Sequence, residues 1–385
     1  MSGFPQTASE LALALCQSRE RTLALMHAWI QALPDLRVPL EPTLNLPLWE
    51  WGHVAWFQSW WIGRNRQRHL GRACDPDHER SPPALDGADA LFNSSTVPHG
   101  QRWQLALPPL AVVQAELARA LEESLKLLEE ADRRAEDLYF WQLVLVHEDM
   151  HNEAALYMAQ ALGLPMPPGP ARGHAVMEHP AMRRELNVPA QVCRIGHDGD
   201  GQHFDFDNEL QAHDLSLDGY EIDDRPVAWA DYLAFVQDTG HALPNCVRRV
   251  EGCWQFRRFD RWEALDPQAP AVYLSAGDAQ AWCDWAGRTL PTEAQWECAA
   301  RTQPRFAWGA VWEWTASVFE PYTGFLAHPY RDYSAPWFGT HRVLRGASAF
   351  TDERLVSPAY RNYFLPERCD IPAGFRTVAR SSTAG

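Results

Sequence analysis

Along the first 165 residues apolar positions recur every three or four. "ASELALALCQSRERTLALMHAWIQAL" keeps that spacing with no internal Pro or Gly and predicts a helix. "LWEWGHVAWFQSWWIGRNRQRHL" predicts a second, entered through "NLP", with Pro47 suited to a first turn. "LAVVQAELARALEESLKLLEEADRRA" predicts a third with a polar face rich in Glu and Arg. "LYFWQLVLVHEDMHNEAALYMAQAL" predicts a fourth, ended by Gly163 and Pro165. Four helices of this length imply a bundle over residues 1–165, with any site built in its core from facing helices. Residues 166–190, dense in Pro and Gly, are expected as a linker. From 191 to 385 the period changes. "HDLSLDGYEI", "RVLRGASAF" and "AGFRTVAR" are short apolar pieces between turns, and "WADYLAFVQDTG" and "SAGDAQAWCDWAG" are among the few helix candidates. This half is expected to be a loop-rich α+β domain with a small sheet, so the whole chain is α+β and multidomain.

Composition narrows the partners. An apolar content of 46% against 22% charged residues implies a folded chain. A formal net charge of -16 argues against nucleic acid and against an anionic membrane. No apolar run reaches a membrane span. "MSGFPQTASE" lacks the basic and apolar regions of an export signal. The eight cysteines form no CxxC pair and no paired framework, so reduced thiols and a cytoplasmic location are expected. Most of the 18 tryptophans must be core, but a surplus suits a protein that holds a cation against aromatic faces.

"LVLVHEDMHNEAALYM" carries the sharpest chemical question. His147 and His151 lie four apart, on one face of the predicted fourth helix, where both can reach one ion. In a chain with 15 histidines such a pair is weak evidence, and core histidines bonded to backbone are the plain alternative. His53, in "WEWGHVAWFQ", sits among tryptophans on the second helix. If helices two and four face each other, His53, His147 and His151 cap one metal on three sides and leave other positions open. Imidazoles suit zinc, iron, copper or nickel alike. Glu153 is placed to support the ligands from an outer shell, or is simply a solvated carboxylate.

At these residues the chain resembles a known family. "NLPLWEWGHVAWF" and "HEDMHNE" resemble the two metal-bearing segments of DinB-like four-helix bundles as they occur in ergothioneine-type sulfoxide synthases, and "ADALFNSSTVPHG" resembles the segment between them. "VYLSAGDAQAWCDWAGRTLPTEAQWECAAR", "VWEWTAS", "RVLRGASAF" and "AGFRTVAR" resemble the formylglycine-generating-enzyme-like domain, a C-type-lectin-like fold. The resemblance runs from about residue 10 to 380. It implies iron(II) held by His53, His147 and His151, with dioxygen and hercynine (trimethylated histidine) as substrates and a bond from imidazole C2 to a chalcogen. Tyr322, in "SVFEPYTGF", matches the family's proton-delivering tyrosine. Asn362 and Tyr363, in "AYRNYFLPERC", match a segment at the amino-acid end of hercynine. The cysteine pair of the formylglycine-generating enzymes has no match.

Three departures bear on the second substrate. Met150 stands before the second histidine, where "HEQQHQE" is usual. Arg102 is alone in "LFNSSTVPHGQRWQLALPPL", where synthases using γ-glutamylcysteine carry several arginines for its carboxylates. "TQPRFAWGA" is short. These departures lean toward the selenoneine branch, with a selenosugar as donor, ahead of a thiol donor such as cysteine or γ-glutamylcysteine. Outside oxidative chemistry the alternatives are a zinc-dependent thiol transferase and a non-catalytic binding protein with a lectin-like pocket.

Overall fold

The computed structural model describes residues 4–134, 137–166, 183–199 and 203–380, and the chain divides into two compact units. The first comprises Met1–Pro167 with two short returns of the chain, Gly201–Phe204 and Ala327–Tyr333. Its helices are α1 (Ala8–Ala32), α2 (Pro47–Gln58), the short α3 (Ala88–Phe92), α4 (Leu110–Arg134) and α5 (Tyr139–Leu162). Helix α1 starts in a reciprocal box, Thr7 accepting from the Glu10 amide while Glu10 accepts from the Thr7 amide, which satisfies two otherwise orphaned donors. Pro47 fills the first turn of α2, where no amide is needed. Gly163, at φ +67°, ends α5 in the left-handed conformation.

The second predicted helix is shorter than expected. It stops at Gln58 and passes into a π-helical turn, Ser59–Gly63. The basic stretch that follows forms a separate 3₁₀ segment, Arg68–Ala73, broken by Gly71 at φ +52°. At Gly63 an added Cβ would collide with the Glu123 carboxylate of α4, so α4 passes close where α2 ends.

Two tryptophans of α2 fasten α3. Trp49 Nε1 donates to the Leu91 carbonyl at 2.7 Å, and Trp56 Nε1 donates to Asp89 at 2.7 Å. Arg64 closes a two-pronged pair on the same carboxylate at 2.7 and 2.8 Å. Gly52 lies between those tryptophans, and a Cβ there would run into the Phe92 ring. Glycine therefore lets α3 approach the α2 backbone closely.

The second unit comprises Pro168–Asp200, Asp205–Leu326 and Ser334–Gly385. Strands β1 (Glu185–Val188) and β2 (Gln191–Ile195) are followed by β3 (His213–Leu217), β4 (Tyr220–Asp223) and helix α6 (Trp229–Thr239). An antiparallel meander of β5 (Val247–Val250), β6 (Cys253–Arg258) and β7 (Arg261–Ala264) precedes α7 (Ala276–Ala286), β8 (Arg288–Thr289) and α8 (Glu293–Thr302). Strands β9 (Trp312–Val318), β10 (Arg342–Gly346), β11 (Asn362–Phe364), β12 (Ala373–Gly374) and β13 (Val378–Ala379) complete it. Two four-stranded sheets form, in the orders β1-β4-β13-β8 and β11-β10-β9-β12, besides the β2-β3 pair and the meander. Val188, Ile195, Ile222, Trp296 and Val378 share one buried cluster.

A mixed helix-and-sheet chain with a helical first part is therefore observed. The expected linker, 166–190, lies largely outside the described residues. Its last part corrects the expectation, because Glu185–Val188 is strand β1, paired antiparallel with β4. Among the described residues no helix is long and apolar enough to cross a membrane.

Candidate metal centre

Three histidines converge inside the first unit. His53 stands on α2, and His147 and His151 stand one turn apart on α5. One ligand nitrogen from each lies within 4.8 Å of the others. The His147 Nε2 is 3.2 Å from the Nε2 of His53 and 3.2 Å from that of His151. Outer partners fix the tautomers. His53 Nδ1 donates to the Phe92 carbonyl at 2.8 Å, the contact that Gly52 and the two tryptophans make possible. His151 Nδ1 faces the Glu50 carboxylate, which also accepts from Asn45 Nδ2. With the proton at Nδ1 in both rings, the lone pairs of both Nε2 atoms point inward. Such convergence leaves acceptors facing acceptors unless a cation stands among them, so the residues present fit a divalent metal.

The electrostatics agree. Burial pushes the His53 imidazole down to about 3, and nearby His151 adds to the effect. Burial, His151 and His53 likewise hold His147 well below its ordinary value. Both rings are thus neutral, the form that binds a metal. Burial alone would raise the Glu50 carboxyl. His151, by charge and hydrogen bond, and Arg102 more than offset it and hold the group at about 2.

The walls are aromatic. His53 stacks on Trp49 at 4.9 Å, and His147 lies flat on Phe57 at 3.6 Å. The return Ala327–Tyr333 brings two tyrosines into this unit. The Tyr330 ring is 4.9 Å from Phe57 and 6.3 Å from His147, both edge-on. Tyr333 Oη lies 3.9 Å from the Met150 sulfur. The return is held by Arg331 on Asp77 at 2.5 Å, by Ser95 on Asp332, and by Tyr139 against His328 at 3.3 Å. Burial raises the Tyr330 phenol, which keeps it protonated.

The structure brings His53, His147, His151 and Arg102 together. The Arg102 guanidinium lies 3.6 Å from the centre of the Trp49 ring that supports His53, and its buried Nε has no hydrogen-bond partner. Tyr322, Asn362 and Tyr363 belong to the second unit. Tyr322 Oη receives a hydrogen bond from Arg345 at 3.1 Å and donates to Glu293 at 3.4 Å, under the Arg361 guanidinium. The Asn362 side-chain oxygen accepts from the Tyr363 amide at 2.9 Å, and Tyr363 stacks on Phe319 at 4.1 Å. The carboxylate on His151 Nδ1 is Glu50, while Glu153, for which an outer-shell role and a solvated one were both open, is buried on α5. Sequence reasoning missed Glu50 and Tyr330. The only local signal for Glu50 was its place one helical turn before His53 in "WEWGH".

The sulfatase-modifying factor enzyme 1-like domain family matches residues 178–310 and 306–381. The chain is 28% identical to a protein of Mycolicibacterium thermoresistibile named hercynine oxygenase, over 96% of this chain and 94% of that one. It is 26% identical to a hercynine oxygenase of Mycobacterium tuberculosis, over 95% and 98%. A formylglycine-generating enzyme of Streptomyces coelicolor is 26% identical over 56% of this chain and 95% of its own.

Proposed function

We propose that this chain, which belongs to the sulfatase-modifying factor enzyme 1-like domain family and stands with the ergothioneine-type sulfoxide synthases by likeness along almost its whole length, is an oxygen-dependent metalloenzyme acting on hercynine. The observation that carries this reading is the convergence of three histidine side chains in a chain similar end to end to hercynine oxygenases. The metal is iron(II), held by His53, His147 and His151, and when bound it supplies the redox chemistry and the open positions at which substrates meet. The first unit is a DinB-like bundle and the second a C-type-lectin-like domain. The reaction joins a sulfur donor to imidazole C2 of hercynine. The C2–H and S–H protons leave with one oxygen atom as water, and the other oxygen atom stays on sulfur as the sulfoxide.

The chain's own residues fit parts of this task. Phe92 and Glu50 hold two ligand rings by their Nδ1 atoms and so turn Nε2 inward. Trp49 and Phe57 cover the rings of His53 and His147. Tyr330 offers a protonated phenol within the same unit as the histidines, and we assign it the proton-delivering role first expected of Tyr322. Replacing Tyr330 with Phe should lower the rate by about a hundredfold while metal content is kept. Tyr322→Phe should leave the rate within a few-fold and act on stability through the Arg345 network. A larger rate loss at Tyr322 than at Tyr330 would reverse the assignment. Asn362, Tyr363 and Arg102 remain proposed substrate contacts.

The relatives favour sulfur over selenium as the transferred atom. One observation supports the selenosugar reading as a second possibility. Arg102, the one arginine in its segment, lies flat on Trp49 beside the Glu50 carboxylate, which offsets its charge, and Met150 adds no polar group. Such a site holds a carboxylate-rich donor poorly. The test is to incubate the iron-loaded protein with hercynine and oxygen and, in parallel, cysteine, γ-glutamylcysteine and a selenosugar, reading products by mass. Oxygen-dependent coupling of hercynine to a thiol is the expected result. A clear preference in kcat/KM for the selenosugar would establish the second reading, and no coupling with any donor would overturn both.

A further inference from the structure

We propose that Arg19 is a positioning residue for the metal centre: it fixes the register of α5 against the other helices so that His147 and His151 meet His53. The inference rests on the three-histidine reading above, but its residues touch no ligand ring directly.

On α1, Ser18, Arg19 and Thr22 form a polar patch that is 1–3% exposed. Arg19 Nε donates to Glu148 at 2.7 Å, and its Nη2 donates to the other Glu148 oxygen at 3.0 Å. The same Nη2 reaches the side-chain oxygen of Gln58, on α2, at 2.7 Å. Nη1 donates to the Leu117 carbonyl on α4. One guanidinium on α1 thus binds all three of the other long helices. Around it Thr22 donates to Glu148 at 2.6 Å, Ser18 donates to Asp149 at 2.7 Å, and Asn152 Nδ2 donates to the Ser18 carbonyl at 3.3 Å. On α5 the partners Glu148, Asp149 and Asn152 interleave in sequence with the ligands His147 and His151.

Apolar packing constrains the position of α5 less sharply than hydrogen bonds do. Before His147 the helix buries Phe140, Trp141, Leu143, Val144, Leu145 and Val146, and Trp141 Nε1 donates to the Ser124 carbonyl on α4 at 3.0 Å. Sliding or turning such a surface exchanges one apolar contact for another. The polar set removes this freedom, because in any other register two carboxylates and an amide would be buried without partners. The demand on register is strict. A helix rises about 1.5 Å per residue, whereas metal–ligand distances tolerate about 0.2 Å. Buried ion pairs are weak contributors to stability, and specifying a register is their best-attested use.

The test separates positioning from mere stability, using the full chain and cobalt(II) as the metal probe. Arg19→Met with Glu148→Leu, made together with Gln58→Leu so that no partner is left buried alone, replaces the set by apolar groups of similar volume, and the unfolding midpoint of the metal-free protein should hold or rise. Cobalt(II) affinity should nevertheless fall by about tenfold or more, with a changed visible spectrum. Affinity within about twofold of the parent and an unaltered spectrum would overturn the proposal, as would an affinity loss that merely follows a fall in midpoint. Should the triple variant not fold, Thr22→Val decides. It removes only the hydroxyl bridge, and it should weaken cobalt(II) by about threefold at an unchanged midpoint, whereas unchanged affinity overturns the idea. A parent protein that binds no cobalt(II) overturns the three-histidine reading itself, a result distinct from equal binding by parent and variant.

Discussion

Each unit buries a cluster of polar side chains, and the two are built on opposite principles. In the second unit Arg345 pairs with Glu297 at 2.8 Å and Glu293 at 3.0 Å, while Arg361 forks onto Glu293 at 2.8 and 2.9 Å. Arg301 adds a further cation to Glu297 at 2.7 Å, so three cations answer two anions, and Tyr322 lies among them as a further donor and acceptor. In the first unit three imidazole nitrogens face one another with both flanking protons committed outward. In the first arrangement each carboxylate is answered by guanidinium groups of the same unit. The second brings like acceptors together and is completed only by something that accepts their lone pairs. Burial of polar groups does not by itself mark function; an unbalanced set does.

Breaking each cluster should therefore give different symptoms. His53→Ala should abolish metal binding and activity while the protein stays folded, measurable as metal content after gel filtration beside an unfolding curve. Arg345→Met should do the reverse. It takes one of two guanidinium partners from each of Glu293 and Glu297 and should cost up to about 3 kcal/mol of stability, with metal content per folded molecule retained. Metal loss from Arg345→Met without loss of stability would erase the distinction.

Acid should separate the clusters next. The unfolded chain binds protons at His53 and His147 near the ordinary value of 6.5, but the folded, metal-free centre refuses them down to about 3 at His53. Their effect on stability is absent above 6.5 and grows as pH falls toward 3, at up to about 1.4 kcal/mol per pH unit for each ring. The carboxylates act lower. Burial would raise Glu293, but Arg361 and Arg345 hold it below its ordinary 4.5, so its contribution is present above 4.5 and lost as pH falls past that value. Stability of the metal-free protein should then fall as pH drops from 6.5 to 4.5 in the parent, and fall less in His53→Ala. Equal slopes in the two proteins would contradict neutral burial of His53.

The smallest effect sharpens the role of the outer partners. Glu50→Gln keeps the size of the side chain but removes the charge facing His151, and it should weaken metal binding by about 10–100-fold with the fold intact. An unchanged affinity would show that the Phe92 carbonyl and packing suffice.

Much of this was legible along the chain. The three-and-four spacing of apolar residues located α1, α4 and α5, the glycine after Leu162 located an end, and the HxxxH pair on α5 named two ligands that one helix places on one face. These are local relations, set by backbone geometry over a few residues. His53 stood as a third member only on condition that two helices face each other, and resemblance made it specific, because nothing local to "WEWGH" says which helix it faces. Only the tertiary structure joined Glu50 to His151 across about a hundred residues, chose a backbone carbonyl at Phe92 for His53, and returned Tyr330 from the far half of the chain to the histidine unit. It also showed that Tyr322 is engaged by Arg345 and Glu293, and that Arg19 on α1 ties α5 to its neighbours. Periodicity tells a helix which face to bury, but a buried hydrogen bond depends on which chain segments meet. That is decided by the packing of the whole unit, where each donor must find its acceptor or lose the water it left.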